Sequence, residues 1–186
     1  MEIQNSELID PEQGIFSILG LVTLRLGGPY WWQTEDIDEE TAIGAIFRAY
    51  ERENLEDDVD KDVLDVASIT VVDVTDDPSE RDVSLIEQAD IPLLDESLHM
   101  GIEKQLAADG MKLTKWMSSH LNKSESLQNL VTAYIANDQG KERQFIAVRM
   151  KVKGRKVVAV GIFDIAKKDK LAAPVFNILK SMAVIG

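Results

Sequence analysis

The sequence predicts an α+β protein, an antiparallel sheet covered by helices, with an N-terminal helical segment in front of it. Three observations carry that expectation. Near residue 68 the spacing of apolar residues changes from about 3.6 towards 2. Turn sequences at Asn137-Asp138-Gln139-Gly140 and at Gly154 join alternating segments at short range. Two apolar stripes at helical spacing, one before and one after those segments, supply covers for a sheet.

The elements follow in order. Over residues 15–26, Ile15, Ile18, Leu19, Val22 and Leu26 fit a helical stripe, and Gly27 with Gly28 supplies a left-handed stop. Thr23 to Leu26 also reads as a strand. Pro29 then starts a turn that presents Tyr30, Trp31 and Trp32. Residues 36–53 read as a helix: Ile37, Ala42, Ile46, Ala49 and Tyr50 share a face. Asp38, Glu39 and Glu40 crowd its first turn and Arg48 and Arg52 lie towards its end, which complements the helix dipole. A charge run follows. The resulting division is a helical segment at 1–55, an acidic linker at 56–67 and a sandwich domain at 68–186.

Residues 68–75 are rich in β-branched side chains and read as a strand. Asp76, Asp77 and Pro78 turn the chain, and 83–88 is expected to return as the second strand of a hairpin. Residues 94–109 read as a helix, with Leu94, Leu98, Ile102 and Leu106 on one face and Gly110 beyond its end. A meander follows, with strands near 111–119, 130–136, 143–153 and 157–165. In the third, Val148, Met150 and Val152 alternate with Arg149, Lys151 and Lys153, the pattern of one buried and one wet face. The fourth is nearly all apolar and reads as a central strand. A last helix carries Leu171, Val175, Ile178, Leu179 and Met182. Pro174 is tolerated only in a first turn, so this helix is expected to begin near Ala172 or Ala173.

From residue 68 onward the order is strand, strand, helix, antiparallel strands and a C-terminal helix ending Ile178, Leu179, Lys180, Ser181. This resembles the PsbP/Mog-like superfamily, whose last helix often closes on a similar apolar-apolar-x-Ser pattern. The resemblance covers residues 68–186 and implies an α/β/α sandwich. It also implies a non-catalytic accessory or binding role, because that group shares no catalytic motif, and it transfers no site residues.

Charge and composition narrow the function. The 186 residues hold 33 acidic and 20 basic side chains, a net of −13. Such a chain is a poor phosphate-tracking nucleic-acid binder. The balance is uneven: residues 1–93 carry 24 acidic and 5 basic groups, net −19, and residues 94–186 carry net +6. The two halves are complementary within one molecule or between copies, or are simply well solvated. With no cysteine, disulfides, thiolate metal sites and cysteine nucleophiles are excluded. The apolar stretch at 15–26 is far shorter than the roughly 20 residues of a membrane-spanning helix. Residues 1–11 hold no Lys or Arg, so no signal-peptide start is present. A cytoplasmic location is expected, an exported protein with its leader removed being the alternative.

Few residues suggest chemistry. Asp58, Asp60 and Asp62 alternate as calcium-loop ligands do, but the sixth and twelfth positions are Val63 and Ile69 instead of Gly and Glu. His99 and His120 are the only imidazoles, and neither accompanies a nucleophile elbow. No glycine pattern for a nucleotide precedes a helix. No metal and no cofactor is therefore expected. Arg149, Lys151 and Lys153, with Arg155 and Lys156, form the densest basic cluster. It can receive an acidic partner or the protein's own acidic half, or guard an edge strand. Tyr30, Trp31 and Trp32 are either a docking contact or core beneath the N-terminal helices.

The expectation is a non-catalytic binding or accessory protein that takes a protein partner or pairs with its own copies. The alternative is an enzyme or small-ligand binder with a pocket between helical segment and sheet, lined by Trp31, Trp32 or Trp116.

Overall fold

Residues that alternate between buried and half-exposed environments set the architecture, because successive side chains of a strand point to opposite faces. The computed structural model describes residues 8–9, 15–27, 31–40, 43–50, 65–123 and 127–185. Its strands are β1 (Leu8–Ile9), β2 (Ile15–Ile18), β3 (Val22–Arg25), β4 (Trp31–Asp38), β5 (Ile43–Tyr50) and β6 (Asp65–Asp73). Helix α1 (Ile91–Ala108) precedes β7 (Lys112–Lys123), β8 (Gln128–Asp138), β9 (Lys141–Val152) and β10 (Arg155–Asp164). Helix α2 (Lys168–Lys180) and the short β11 (Ala183–Val184) follow. Eight strands form one antiparallel sheet in the order β1-β4-β5-β6-β10-β9-β8-β7, and β11-β3-β2 form a second.

Helix α2 and the small sheet cover one face of the large sheet. There Leu24, Leu26, Phe47, Ile69, Val71, Val157, Phe163, Leu171, Val175 and Ile178 share one core. Helix α1 covers the opposite face over the meander, burying Ile102 and Leu106 against Tyr134, Ala136 and Phe145, and Leu94 against Leu130. The class is α+β, with strands dominating: the described residues hold eleven strands and two α-helices. None of the helices there is long and apolar enough to cross a membrane.

Where the expected N-terminal helical segment is described, it is built of strands and not helices. Residues 15–25 form the β2–β3 hairpin, turned by Leu19 and Gly20 at φ 55° and 64°. Residues 31–38 and 43–50 form β4 and β5. Ala45, Phe47 and Ala49 are buried while Ile46 and Arg48 lie on the other face, so period 2 wins over the three-and-four spacing. Gly44 settles the pairing. A Cβ there would overlap the Val71 carbonyl oxygen and stand 2.8 Å from Val72 Cα, across the β5–β6 ladder. These strands extend the same sheet as the meander. Of the expected linker, residues 56–64 lie outside the described residues and 65–67 begin β6, as does the Asp58, Asp60 and Asp62 run lie outside them.

Two smaller expectations also change. Residues 83–88 do not return as a strand; they start a pair of 3-10 turns at Val83–Leu85 and Gln88–Asp90. Asp82 caps the first by accepting from the Ser84 amide at 3.0 Å, and Gln128 Nε2 donates to the carbonyls of Val83 and Ile86, both at 2.7 Å. Helix α2 begins at Lys168, placing Pro174 in its interior. The buried stripe of Leu171, Val175, Ile178 and Leu179 offsets the missing amide.

The segment 73–82 wraps the ends of β9 and β10 with the chain's own acids. Arg149 Nε lies 3.2 Å from Glu80 Oε2, Lys151 Nζ binds Asp82, and Arg155 Nε lies 2.6 Å from Asp73 Oδ2. Lys156 Nζ donates to the carbonyls of Asp77 and Glu80 at 2.7 and 2.8 Å. Asp73 is 3% exposed. Burial alone would raise its pKa, but hydrogen bonds from the Thr75 hydroxyl and amide and from Arg155 hold the carboxyl below the usual range. Asp82 is also lowered, chiefly by Lys151 and then Ser84.

Two stability predictions follow from these contacts. Gly44→Ala is expected to cost more than Gly161→Ala. At Gly161 a Cβ meets side-chain atoms of Val175, Leu179 and Ile69, at 2.6, 3.1 and 3.4 Å, whereas at Gly44 it meets main chain. Gly161→Val should overpack this seat of α2 and cost about 1–3 kcal/mol. Equilibrium urea unfolding measures the order, and equal losses for the two alanine variants would contradict the pairing at Gly44. The second concerns pH. A carboxyl whose folded pKa is depressed contributes stability above its unfolded pKa, about 3.9 for Asp, and loses it as pH falls through the folded value. The acid limb of wild-type stability below about pH 4 should therefore be shallower in Asp73→Asn, with a lower plateau at pH 7. Parallel limbs would remove Asp73 from the account.

Candidate functional site

Where α2 sits decides what it leaves bare. Gly161 in β10 has no side chain, so Val175 and Leu179 settle directly over the centre of the sheet. The small sheet covers the side of β4 to β6. The same face of β7, β8 and β9 is left beside α2 as an open groove of about 740 Å³. Val131, Ala133, Ile146, Val148 and Met150 form its floor, and Ala173, Phe176, Leu179 and Met182 form the wall from α2 and its end. Five polar side chains join them: His120, Asn122, Asn129, Gln144 and Lys180.

A bulge in β7 places two of these. Met117 pairs with Ala133 and His120 with Val131, so β7 spends three residues where β8 spends two. Beyond it the faces exchange. Ser119 turns to the α1 side and is buried, its hydroxyl 3.2 Å from Thr132 Oγ1, while His120 and Asn122 turn to the groove. Register then sets Asn122 opposite Asn129, with Nδ2 donating to Oδ1 at 3.1 Å, one row beyond His120 and Val131. Lys180 Nζ stands 4.5 Å from the centroid of the Phe176 ring, a cation–π contact at the groove wall. Gln144 Nε2 points to Met117 Sδ at 3.7 Å.

The other imidazole lies across the sheet. His99 on α1 stacks on Trp116 at 4.8 Å, Trp116 on Tyr134 at 6.0 Å and Tyr134 on Phe145 at 4.9 Å. Asp95 accepts from Trp116 Nε1 at 3.1 Å and from the Ser119 amide at 2.7 Å. Burial works against ionisation of Asp95, but these bonds win and its pKa is lowered; Tyr134, buried, is pushed up to about 12. This is a packed ladder that fixes α1 to β7. His99 and His120 therefore do not converge. Ser118 Oγ lies 3.4 Å from His120 Nε2, yet no described carboxylate orients that ring as a catalytic triad requires.

The residues singled out from the sequence fall elsewhere. Trp32 is 1% exposed in the core, donating from Nε1 to the Gly27 carbonyl at 3.3 Å, so it is not a docking contact. Trp31 contributes its backbone to β4 opposite Tyr50, and Tyr30 lies outside the described residues. Neither Trp32 nor Trp116 lines the groove, and the expected pocket between a helical segment and the sheet is replaced by one beside α2. Arg149 and Lys151 face the chain's own Glu80 and Asp82. Lys153 is exposed in the β9–β10 turn at φ 49°. An edge-guarding role is also corrected, since β9 lies between β8 and β10. Sequence reasoning missed the groove. Its available signal was β8, where Val131, Ala133 and Ile135 give the strand a second apolar face.

No protein-family model and no curated protein matches the sequence. Among solved structures the chain is similar to the solution structure of cyanobacterial PsbP (CyanoP) from Synechocystis sp. PCC 6803. The two superpose with a TM-score of 0.57 at 10% sequence identity, over 98% of this chain and 95% of that one. The likeness thus extends well beyond residues 68–186, and at this identity it is one of fold. The chain has a PsbP-like fold.

Proposed function

We propose that this chain is a non-catalytic binding protein of the accessory kind, and that the groove beside α2 is its ligand site. The observation that carries the reading is the groove itself: about 740 Å³, open to solvent, with an apolar floor and few polar groups. Binding pockets for small ligands run to about 300–1,000 Å³ with that kind of lining. Its single imidazole has no acid partner among the described residues, which favours holding a ligand over transforming one. The PsbP-like fold supports the accessory role.

The internal ion pairs weigh against pairing between copies through opposite charge, because Arg149, Lys151 and Arg155 already meet acids of their own chain. A second surface favours a protein partner. Leu93 and Met100, seven residues apart on α1, are 76% and 66% exposed, and Leu85 nearby in sequence is 77% exposed.

Nile red, an uncharged dye that brightens in apolar sites, separates the two surfaces. It is expected to bind saturably, and Ala173→Trp, which fills the groove from an exposed helix position, should weaken it about tenfold, roughly 1.4 kcal/mol. Leu93→Asp with Met100→Asp should leave it unchanged. If the α1 pair abolishes binding and Ala173→Trp does not, the groove is not the site.

A further inference from the structure

Among the described residues that line the groove, the one fixed charge is the cation Lys180. We infer that the groove selects a single-chain amphiphile with a carboxylate head, an inference that rests on the groove being the ligand site. Acids outnumber bases 33 to 20 in the chain, yet none of the described lining residues is Asp or Glu. Its five polar side chains are one lysine, one imidazole and three amides, which are donors or adaptable groups.

Their placement is uneven. Asn122 and Asn129 sit in one cross-strand row and His120 in the next, and Lys180 comes from the end of α2. Among the described residues the Lys180 ammonium rests on the Phe176 ring, and no described carboxylate lies within ion-pair distance of it. Val131, Ala133, Ile146 and Val148 leave the rest of the floor apolar. An apolar chain laid on that floor removes water from it, and an anionic head brings a charge-assisted partner to Lys180 and the amides. One fixed positive charge matches a carboxylate of charge −1 better than a phosphate monoester, which carries about −1.5 to −2 at pH 7. A cationic head would meet Lys180 with like charge.

The test uses the full chain with four probes of equal length below their micelle concentrations: dodecanoate, dodecanol, dodecyl phosphate and dodecyltrimethylammonium. Each competes with Nile red. Dodecanoate is expected to displace the dye at about one-tenth the concentration dodecanol needs, and the cation to be weakest. Lys180→Gln, at an exposed position, should bring dodecanoate to the level of dodecanol and leave dodecanol unchanged, with circular dichroism as the check of folding. Equal competition by dodecanoate, dodecanol and the cation would overturn the head-group assignment while the groove reading stood. Tighter binding of dodecyl phosphate would overturn the choice of carboxylate. Nile red binding that none of the four displaces would sink the groove reading itself.

Discussion

The ladder between β6 and β10 is the seam on which the molecule depends. It runs from Asp73 opposite Val157 to Ala67 opposite Phe163, and it joins β1, β4, β5 and β6 to the meander. Both strands are central, and the side of Ile69, Val71, Val157 and Ala159 is sealed by α2 and the small sheet. These partners lie about half the chain apart in sequence, so their pairing is slow to find and carries the loop-closure cost of non-local contacts. The Asp73–Arg155 contact and the Lys156 bonds close the seam at one end. Because α2 stands on this seam, it cannot also stand over β7 to β9. The groove is a consequence of where the seam lies.

How much of this was legible differs by region. In the meander, neighbours in sequence are neighbours in space, and Val148, Met150 and Val152 alternate cleanly; turns at Gly140 and Gly154 take positive φ, as their sequences implied. The stripes of α1 and α2 were equally plain, apart from the start of α2. Residues 15–50 were opaque for a physical reason. Ile37, Ile46 and Ala49 satisfy a helical spacing, while Ala45, Phe47 and Ala49 satisfy an alternating one, and only the arrival of β6 decides between them. Gly44, which a helix would merely tolerate, is required by that arrival.

The groove was hidden for another reason. Which face His120 occupies depends on one extra residue in β7, and a bulge leaves no distinctive composition behind. The basic cluster was visible but ambiguous, since its partners lie some seventy to eighty positions earlier in the chain. What looked like a patch awaiting a visitor is largely spent on Glu80, Asp82 and Asp73. The long-range field that remains is acidic overall, and it makes a cationic corner inside an apolar trough more distinctive.

The segment after α2 has a bearing on how the molecule is born. After α2, β11 pairs with β3 at Thr23 and Val22, Ser181 Oγ accepts from the Arg25 amide at 2.8 Å, and the Ile185 amide donates to Leu21 at 3.0 Å. The β2–β3 hairpin is thus completed by residues that lie more than 150 positions later in the chain. During translation the early strands must wait outside the ribosome with their apolar side uncovered until residue 185 has emerged, a window in which chaperones or self-aggregation compete for them.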